Sequence, residues 1–368
     1  MKKVILFLLI LFLFSFGCQK KEDVIRIGIA GPMTGDQAKM GMDFKNGASL
    51  AVEEWNGKGG VLGKKIEMII SDDQHDPKQA VSLANKMVND GVAGVVGHFN
   101  SSCSIPASDV YNRAGIPMIT PGSTNPQLTE KGHRGVFRVC GRDDQQGRVG
   151  ADFVINYLKL KNVAVLHDKT TYGQGLADEF RKFLRSEANV VFYGSIVQGD
   201  KDFKTVLTAV KARNPQLIFF GGIYPEAGLL VKQAKEIGLN VNFMSGDGTI
   251  DPKFIEIAGV SAAEGTYLTF SPDPGNIPSA KGFIEKYRSK YGETGPYSIY
   301  AYDAANILLA AIKEAGSADG RAITEKLHSM EFSAALGNIR FDEKGDVTVS
   351  PYVVWVTKNG KFVEYRKP

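Results

Sequence analysis

Cysteine is scarce in this chain: three residues in 368, at positions 18, 103 and 140. A disulfide-stapled scaffold is excluded, and no C-x-x-C pair offers a thiolate metal site. The five histidines, His75, His98, His133, His167 and His328, lie far apart, with no nucleophile paired to a base. No G-x-S-x-G elbow, H-E-x-x-H or G-x-G-x-x-G occurs. Gly63-Lys64-Lys65 falls short of a P-loop, because Lys58 stands at the required first Gly and Lys65 at the Ser/Thr. Charge of one sign is missing too: 44 Lys and Arg balance 40 Asp and Glu. A nucleic-acid footprint needs a basic patch with interleaved aromatics, and none is present. Nothing supports a cofactor or an enzyme, although catalysis in a cleft stays open as a rival function.

Long apolar runs are absent except for one, Val4 to Phe14, which follows Lys2 and Lys3. It is too short to span a bilayer and has the plan of a secretory signal. Ser15-Phe16-Gly17-Cys18 resembles a bacterial lipobox, with Ser15 where that pattern prefers Leu. Residues 1–17 are therefore expected to be removed and Cys18 acylated, with residues 18–23 as a polar tether. The protein is expected in the periplasm or on the extracytoplasmic face of the membrane, lipid-anchored at Cys18. Loss of residues 1–17 takes away two lysines, so the formal charge falls from +4 to +2.

From Val24 strands alternate with helices, which predicts an α/β protein with mostly parallel sheets. The length calls for two domains. Strands are expected at Val24–Ile29, Ile66–Ile70, Gly94–Gly97, Pro117–Thr120 and Val136–Val139, and the pattern begins again at Val163–Leu166. Further strands are expected at Val190–Val197, Leu217–Phe220 and Phe243-Met244. After Phe270 long helices take over, near Pro278–Tyr291 and Tyr300–Ala315, and Tyr352–Tyr365 closes the chain as a hairpin. No flexible linker separates the halves, which suggests several crossovers rather than domains in series.

The stretch from Gly97 to Pro126 organises this pattern. Two short apolar strands each stop in hydroxyl residues: Asn100-Ser101-Ser102-Cys103-Ser104 and Gly122-Ser123-Thr124-Asn125. Loops after successive parallel strands share one sheet edge, where such folds bind ligands. Helix N–H groups beside Ser hydroxyls suit an anion, although Ser and Thr also serve simply as caps. Pro106 suits the first turn of the following helix. Asp72-Asp73-Gln74-His75-Asp76 is the best metal candidate, but Asp76-Pro77 reads better as a helix N-cap. Asp247, in Ser245-Gly246-Asp247-Gly248, reads by itself as a turn residue. Cys103 and Cys140 form a bridge only if the fold brings their Cα atoms within about 7 Å.

Lys78-Gln79-Ala80-Val81, Gly97-His98 with Pro106-Ala107-Ser108-Asp109, Ile119-Thr120-Pro121, His167-Asp168-Lys169 with Tyr172-Gly173, and Asp342-Glu343-Lys344-Gly345-Asp346 carry a resemblance. Over nearly the whole mature chain they resemble the periplasmic leucine/isoleucine/valine-binding proteins of branched-chain amino acid transporters. The resemblance implies a type I periplasmic binding fold, two Rossmann-like lobes joined by three hinge crossovers. Lobe 1 would comprise 24–141 plus 271–348, and lobe 2 would comprise 142–270 plus 349–368. It also implies a monomer that delivers an amino acid to a membrane ABC permease. Ser101 and the Thr124 amide would hold the ligand carboxylate. The Thr124 hydroxyl, the Gly122 carbonyl and Asp247 would meet its ammonium. Phe99, Tyr172, Met40 and Ile223 would surround its side chain, with Asn100 and Ser123 in the same loops. Asp247 and Gly122 stand where the family protein has Glu and Ala, and Met40 and Ile223 replace tyrosines. His75 and Asn100 occupy the positions of its disulfide, so that bridge cannot form. A receptor of the same fold for an amide, urea or an aromatic acid is the alternative.

Overall fold

The computed structural model describes residues 24–184 and 187–366. The expected signal, the tether and Cys18 lie outside that range. The first sheet holds β1 (Ile25–Gly31), β2 (Ile66–Asp72), β3 (Val95–Val96), β4 (Met118–Thr120) and β5 (Val136–Arg138). They pair in parallel in the order β2-β1-β3-β4-β5. Ile27 and Ile29 on one face of β1 and Gly28 and Ala30 on the other are all buried, as a strand covered on both faces requires. The helices between are α1 (Ala38–Gly57), α2 (Pro77–Asn89), α3 (Ser101–Ala114) and α4 (Gln127–Glu130). Asp76 caps α2, accepting from the amides of Lys78 at 2.6 Å and Gln79 at 3.1 Å.

The second sheet repeats the same winding. Its strands are β6 (Asn162–His167), β7 (Asn189–Ser195), β8 (Leu217–Gly221), β9 (Asn242–Ser245) and β10 (Tyr267–Phe270). The parallel order is β7-β6-β8-β9-β10, the order of the first sheet. Around it lie α5 (Asp143–Asp152), α6 (Thr171–Leu184), α7 (Lys204–Lys211), α8 (Tyr224–Glu236), α9 (Pro252–Ala258) and α10 (Val260–Ala263).

The chain then returns to the first sheet with α11 (Lys281–Tyr291), α12 (Ser298–Ala315) and α13 (Gly320–Ser329), followed by the hairpin β11 (Glu331–Ala334) and β12 (Gly337–Arg340). α12 packs on α1 so closely that a Cβ at Gly47 would lie 2.0 Å from the Ser298 carbonyl oxygen. Finally β13 (Val353–Lys358) pairs antiparallel with β10, and β14 (Lys361–Glu364) antiparallel with β13, extending the second sheet. Asn359 (φ 52°) and Gly360 (φ 71°) make their turn, the left-handed pair that a two-residue hairpin demands. The chain thus passes between the sheets three times: after β5, after β10 and before β13. These passages touch. Trp355 Nε1 donates to the Ser271 carbonyl at 2.9 Å, and Tyr352 covers Gly141.

One expectation needs correction, one helix was unread and one open question is answered. Pro106 is not in the first turn of α3 but in the second. The Asn100 carbonyl already accepts from the Cys103 and Ser104 amides, so the hydroxyl cluster is itself the first turn. α5 was missed, because Asp143–Asp152 is polar and carries Gly147 and Gly150. Those glycines let α5 lie against α6: a Cβ at Gly147 would fall 2.7 Å from the Phe180 nitrogen. No bridge joins Cys103 and Cys140; both are free, buried thiols.

Candidate ligand-binding site

The C-terminal strand edges of the two sheets face each other. In each sheet the winding reverses beside the first strand, between β1 and β3 and between β6 and β8, where doubly wound folds bind ligands. The loop after β3 supplies Phe99, Asn100 and Ser101, and the loop after β4 supplies Gly122. The second sheet contributes Tyr172 at the start of α6, Ile223 before α8, and Asp247-Gly248 after β9. With Tyr297, just before α12, these residues enclose a cavity of about 20 Å³, room for about one water. Met40, Ser123 and Thr124 do not border it. Met40 is buried in α1, and Ser123 donates its hydroxyl to the Phe99 carbonyl at 2.8 Å.

Asp247 is the centre of this constellation. Its Oδ1 accepts from the Tyr172 hydroxyl at 2.7 Å and from Gln146 Nε2 at 2.9 Å, and its Oδ2 accepts from the Tyr297 hydroxyl at 2.8 Å. Burial raises its pKa, and the three hydrogen bonds oppose that rise. Tyr172 also accepts from the Gly248 amide at 2.9 Å. Tyr297 comes from the side of the first sheet, so its bond to Asp247 crosses the cleft. Asn125 Nδ2 crosses likewise to the Thr171 carbonyl at 2.8 Å, as do the Lys201–Asp36 ion pair at 3.1 Å and Gln198 Nε2 to His75 Nδ1 at 2.7 Å. The cleft is closed.

On the opposite wall, Ser101 Oγ accepts from the Asn125 amide at 3.3 Å. The Thr124 hydroxyl and Asn100 Oδ1 are buried with no hydrogen-bond partner. Gly122 lies against the Phe99 ring: a Cβ there would be 2.5 Å from Phe99 Cδ2, so glycine at 122 sets how near Phe99 can sit. Phe99 stacks edge-on against Tyr297, with centroids 4.8 Å apart. Behind this loop the fully buried Arg138 donates to the carbonyls of Ser123 at 2.8 Å and Asn125 at 3.1 Å, to Thr129 Oγ1 at 2.8 Å and to Asp346 at 2.5 Å. It ties the loop after β4 to the turn Asp342–Asp346.

The metal candidate is occupied by structural bonds. Asp72 accepts from the Met33 amide at 2.8 Å, Asp73 pairs with His98 Nδ1 at 2.7 Å, and Asp76 caps α2. Burial lowers the His75 pKa to about 4, so its ring is neutral. Tyr297, Gln146 and Arg138 were not foreseen as site residues. Only Tyr297 carried a signal, as a tyrosine just before a long apolar helix.

Two doubly wound lobes with matching strand order, closed on a small polar cavity and crossed three times by the chain, define a type I periplasmic binding fold. The chain belongs to the periplasmic binding protein family, whose model matches residues 24–361. It is 46% identical over 336 residues, 90% of each chain, to the "Amino acid binding protein" of Pseudomonas aeruginosa. It is 42% identical, over 95% of each chain, to the "Leu/Ile/Val-binding protein homolog 1" of Brucella suis. Among solved structures, the leucine-binding protein LivK of Thermotoga maritima superposes with a TM-score of 0.87 at 34% identity, covering 93% of this chain and 98% of that one. LivJ of Streptococcus pneumoniae, solved with isoleucine, gives 0.85 at 30% identity, covering 93% and 100%.

Proposed function

We propose that this protein is an extracytoplasmic receptor that binds an aliphatic, branched-chain amino acid between its lobes and delivers it to a membrane ABC permease. The observation that carries this reading is Asp247: a buried carboxylate held by donors from both lobes, facing the helix start at Ser101 across a closed cavity. A zwitterion needs a donor-rich site for its carboxylate and an anion for its ammonium, a few ångströms apart. Ser101 and the Thr124 amide take the carboxylate. Asp247, the Gly122 carbonyl and the Thr124 hydroxyl take the ammonium. Phe99, Tyr172 and Ile223 pack the side chain, with Asn100 at the pocket rim. Relatives named for binding leucine, isoleucine and valine, and LivJ solved with isoleucine, support the same class. The cavity in the closed form is too small for leucine, so capture requires the lobes to part. We place the hinges at the three adjoining passages, near 140–143, 270–271 and 348–349. Lobe 1 is then 24–141 with 271–348, and lobe 2 is 142–270 with 349 onward. The chain acts by binding and release, without turnover, as an anchored monomer lipidated at Cys18.

A thermal-shift screen of refolded, ligand-stripped protein against the standard amino acids, urea, acetamide and benzoate tests the reading. An aliphatic amino acid at 100 times its Kd should stabilise the fold by about 2.7 kcal/mol. A response confined to urea, an amide or benzoate would replace this reading with the alternative receptor.

A further inference from the structure

Next to Asp247 lies a second carboxylate that the amino-acid reading leaves without a role. Asp143 is the first residue of α5, directly after the first passage between the lobes, and it is fully buried. Neither of its oxygens accepts a hydrogen bond. Two other buried atoms nearby share this condition, Thr124 Oγ1 and Gln146 Oε1. Thr124 is tied to Asp143 through its carbonyl, which accepts the Asp143 amide at 2.9 Å, and Gln146 donates to Asp247 with its other end.

The two carboxylates differ in what surrounds them. Asp247 receives three donors, the hydroxyls of Tyr172 and Tyr297 and the amide of Gln146, which is the environment of an ionised, acceptor-only group. Asp143 receives none. An ionised Asp143 would add two orphaned acceptors to a place already holding the Gln146 carbonyl oxygen. The unpaired Thr124 hydroxyl is the one donor beside this carboxylate, and a protonated Asp143 supplies a second to a cluster otherwise made of acceptors. Charge counting agrees. A zwitterionic ligand adds no net charge, so two ionised aspartates would keep two buried negative charges in the site, and protonation of Asp143 leaves one, the less costly arrangement.

We propose that Asp143 binds a proton as the cleft closes, so that capture of the amino acid is coupled to uptake of one proton from solvent. The inference rests on the amino-acid reading of the same site. Two neighbours oppose it, the Thr124 hydroxyl and the Arg138 charge, and burial with the Asp247 charge outweighs them. The guanidinium of Arg138, from β5, is spent on Asp346, Thr129 and two carbonyls. Asp144, beside it on α5, is paired with Arg142 at 3.0 Å. Tyr172 from α6, Cys140 from the passage and Tyr352 before β13 are kept neutral by burial. The α5 N-terminus favours a charged Asp143, but no N–H reaches its carboxylate. Burial first, and the Asp247 charge next, push the Asp143 carboxyl well above the usual carboxylate range. The group closes in only when Thr124 and Tyr297 of one lobe meet Asp143 and Asp247 of the other. Proton uptake on closure requires that water reach this carboxylate in the open form.

The sign follows. Asp143 has the higher pKa in the closed form, so closure is favoured at lower pH. Affinity is then lost as pH rises toward the closed-form value, by up to about tenfold per pH unit where one full proton is taken up. The experiment is calorimetric titration of ligand-stripped wild-type protein with L-leucine, near neutral pH, in buffers of differing ionisation enthalpy. The slope of the observed heat against buffer ionisation enthalpy counts protons. We expect close to one proton taken up per leucine bound, falling toward zero in Asp143→Asn. Leucine binding with no buffer dependence in the wild type overturns this proposal and leaves the receptor reading intact, and the wild-type series decides this even if the variant does not fold. Uptake that persists unchanged in a folded Asp143→Asn protein also overturns it, since the proton would then reside elsewhere. If no amino acid binds in any buffer, the receptor reading fails and takes this proposal with it.

Discussion

Arg138 borders no cavity, yet it decides where the ligand loop lies. Its guanidinium holds two carbonyls of the Ser123–Asn125 segment and a carboxylate more than 200 residues away. Removing one partner of a buried ion pair leaves the other without compensation. Arg138→Met should therefore destabilise the fold by about 3 kcal/mol, the low end of the usual range, because Asp346 keeps a second arginine, Arg142, at 2.6 Å. Denaturant melts would show this as a lower midpoint, and an unchanged midpoint would remove Arg138 from its supporting role. The hydroxyl clusters around Ser101 and Thr124 were legible in the sequence, because two of them stop consecutive strands at one sheet edge, which capping alone does not call for. Asp247 was legible only through family resemblance, since Asp-Gly alone signals a turn. Tyr297, Gln146 and Arg138 were not legible. Each matters through contacts made across lobes or far along the chain, and no local pattern marks them.

Among the elements, those with strong periodicity or a clear cap were read correctly, and those that depend on a neighbour were not. α2 announces itself by Asp76-Pro77, and the closing hairpin by Asn359-Gly360 between alternating residues. α5 does the opposite. Its glycines weaken the helix signal, but they are what allows the close approach to α6. The helix α13 and the hairpin β11–β12 were likewise unread, being short elements settled by packing on the first sheet. Asp76 gives a control for every binding measurement, because its two hydrogen bonds serve only α2. Asp76→Ala should cost about 0.5–2 kcal/mol of stability and leave amino-acid affinity nearly unchanged. Affinity falling along with stability would mean that α2 communicates with the cleft.

At the scale of the whole molecule, the proposed lipid anchor at Cys18 lies outside the described residues, and the closed cleft lies within them. Cys18→Ser should move the protein from the membrane fraction to the soluble one, since several acyl chains anchor firmly where one binds weakly. Continued membrane association of that variant would refute lipidation at Cys18. The repeated strand order explains why one cavity serves the whole chain: each sheet brings its switch point to the same gap, and closure there excludes water from Asp247. Attraction to a ligand ammonium strengthens in that setting, while desolvation offsets part of the gain. Truncating one partner of such a buried pair costs about 2–5 kcal/mol. The most direct measurement is calorimetric titration of Asp247→Ala and wild-type protein with the amino acid that the screen identifies. We expect affinity to fall by roughly 30- to several-thousand-fold in the variant, together with some loss of ligand-free stability, because the Tyr172, Tyr297 and Gln146 donors lose their acceptor. Affinity within about threefold of wild type, well under 1 kcal/mol, would contradict an ammonium at Asp247, and the amino-acid receptor with it.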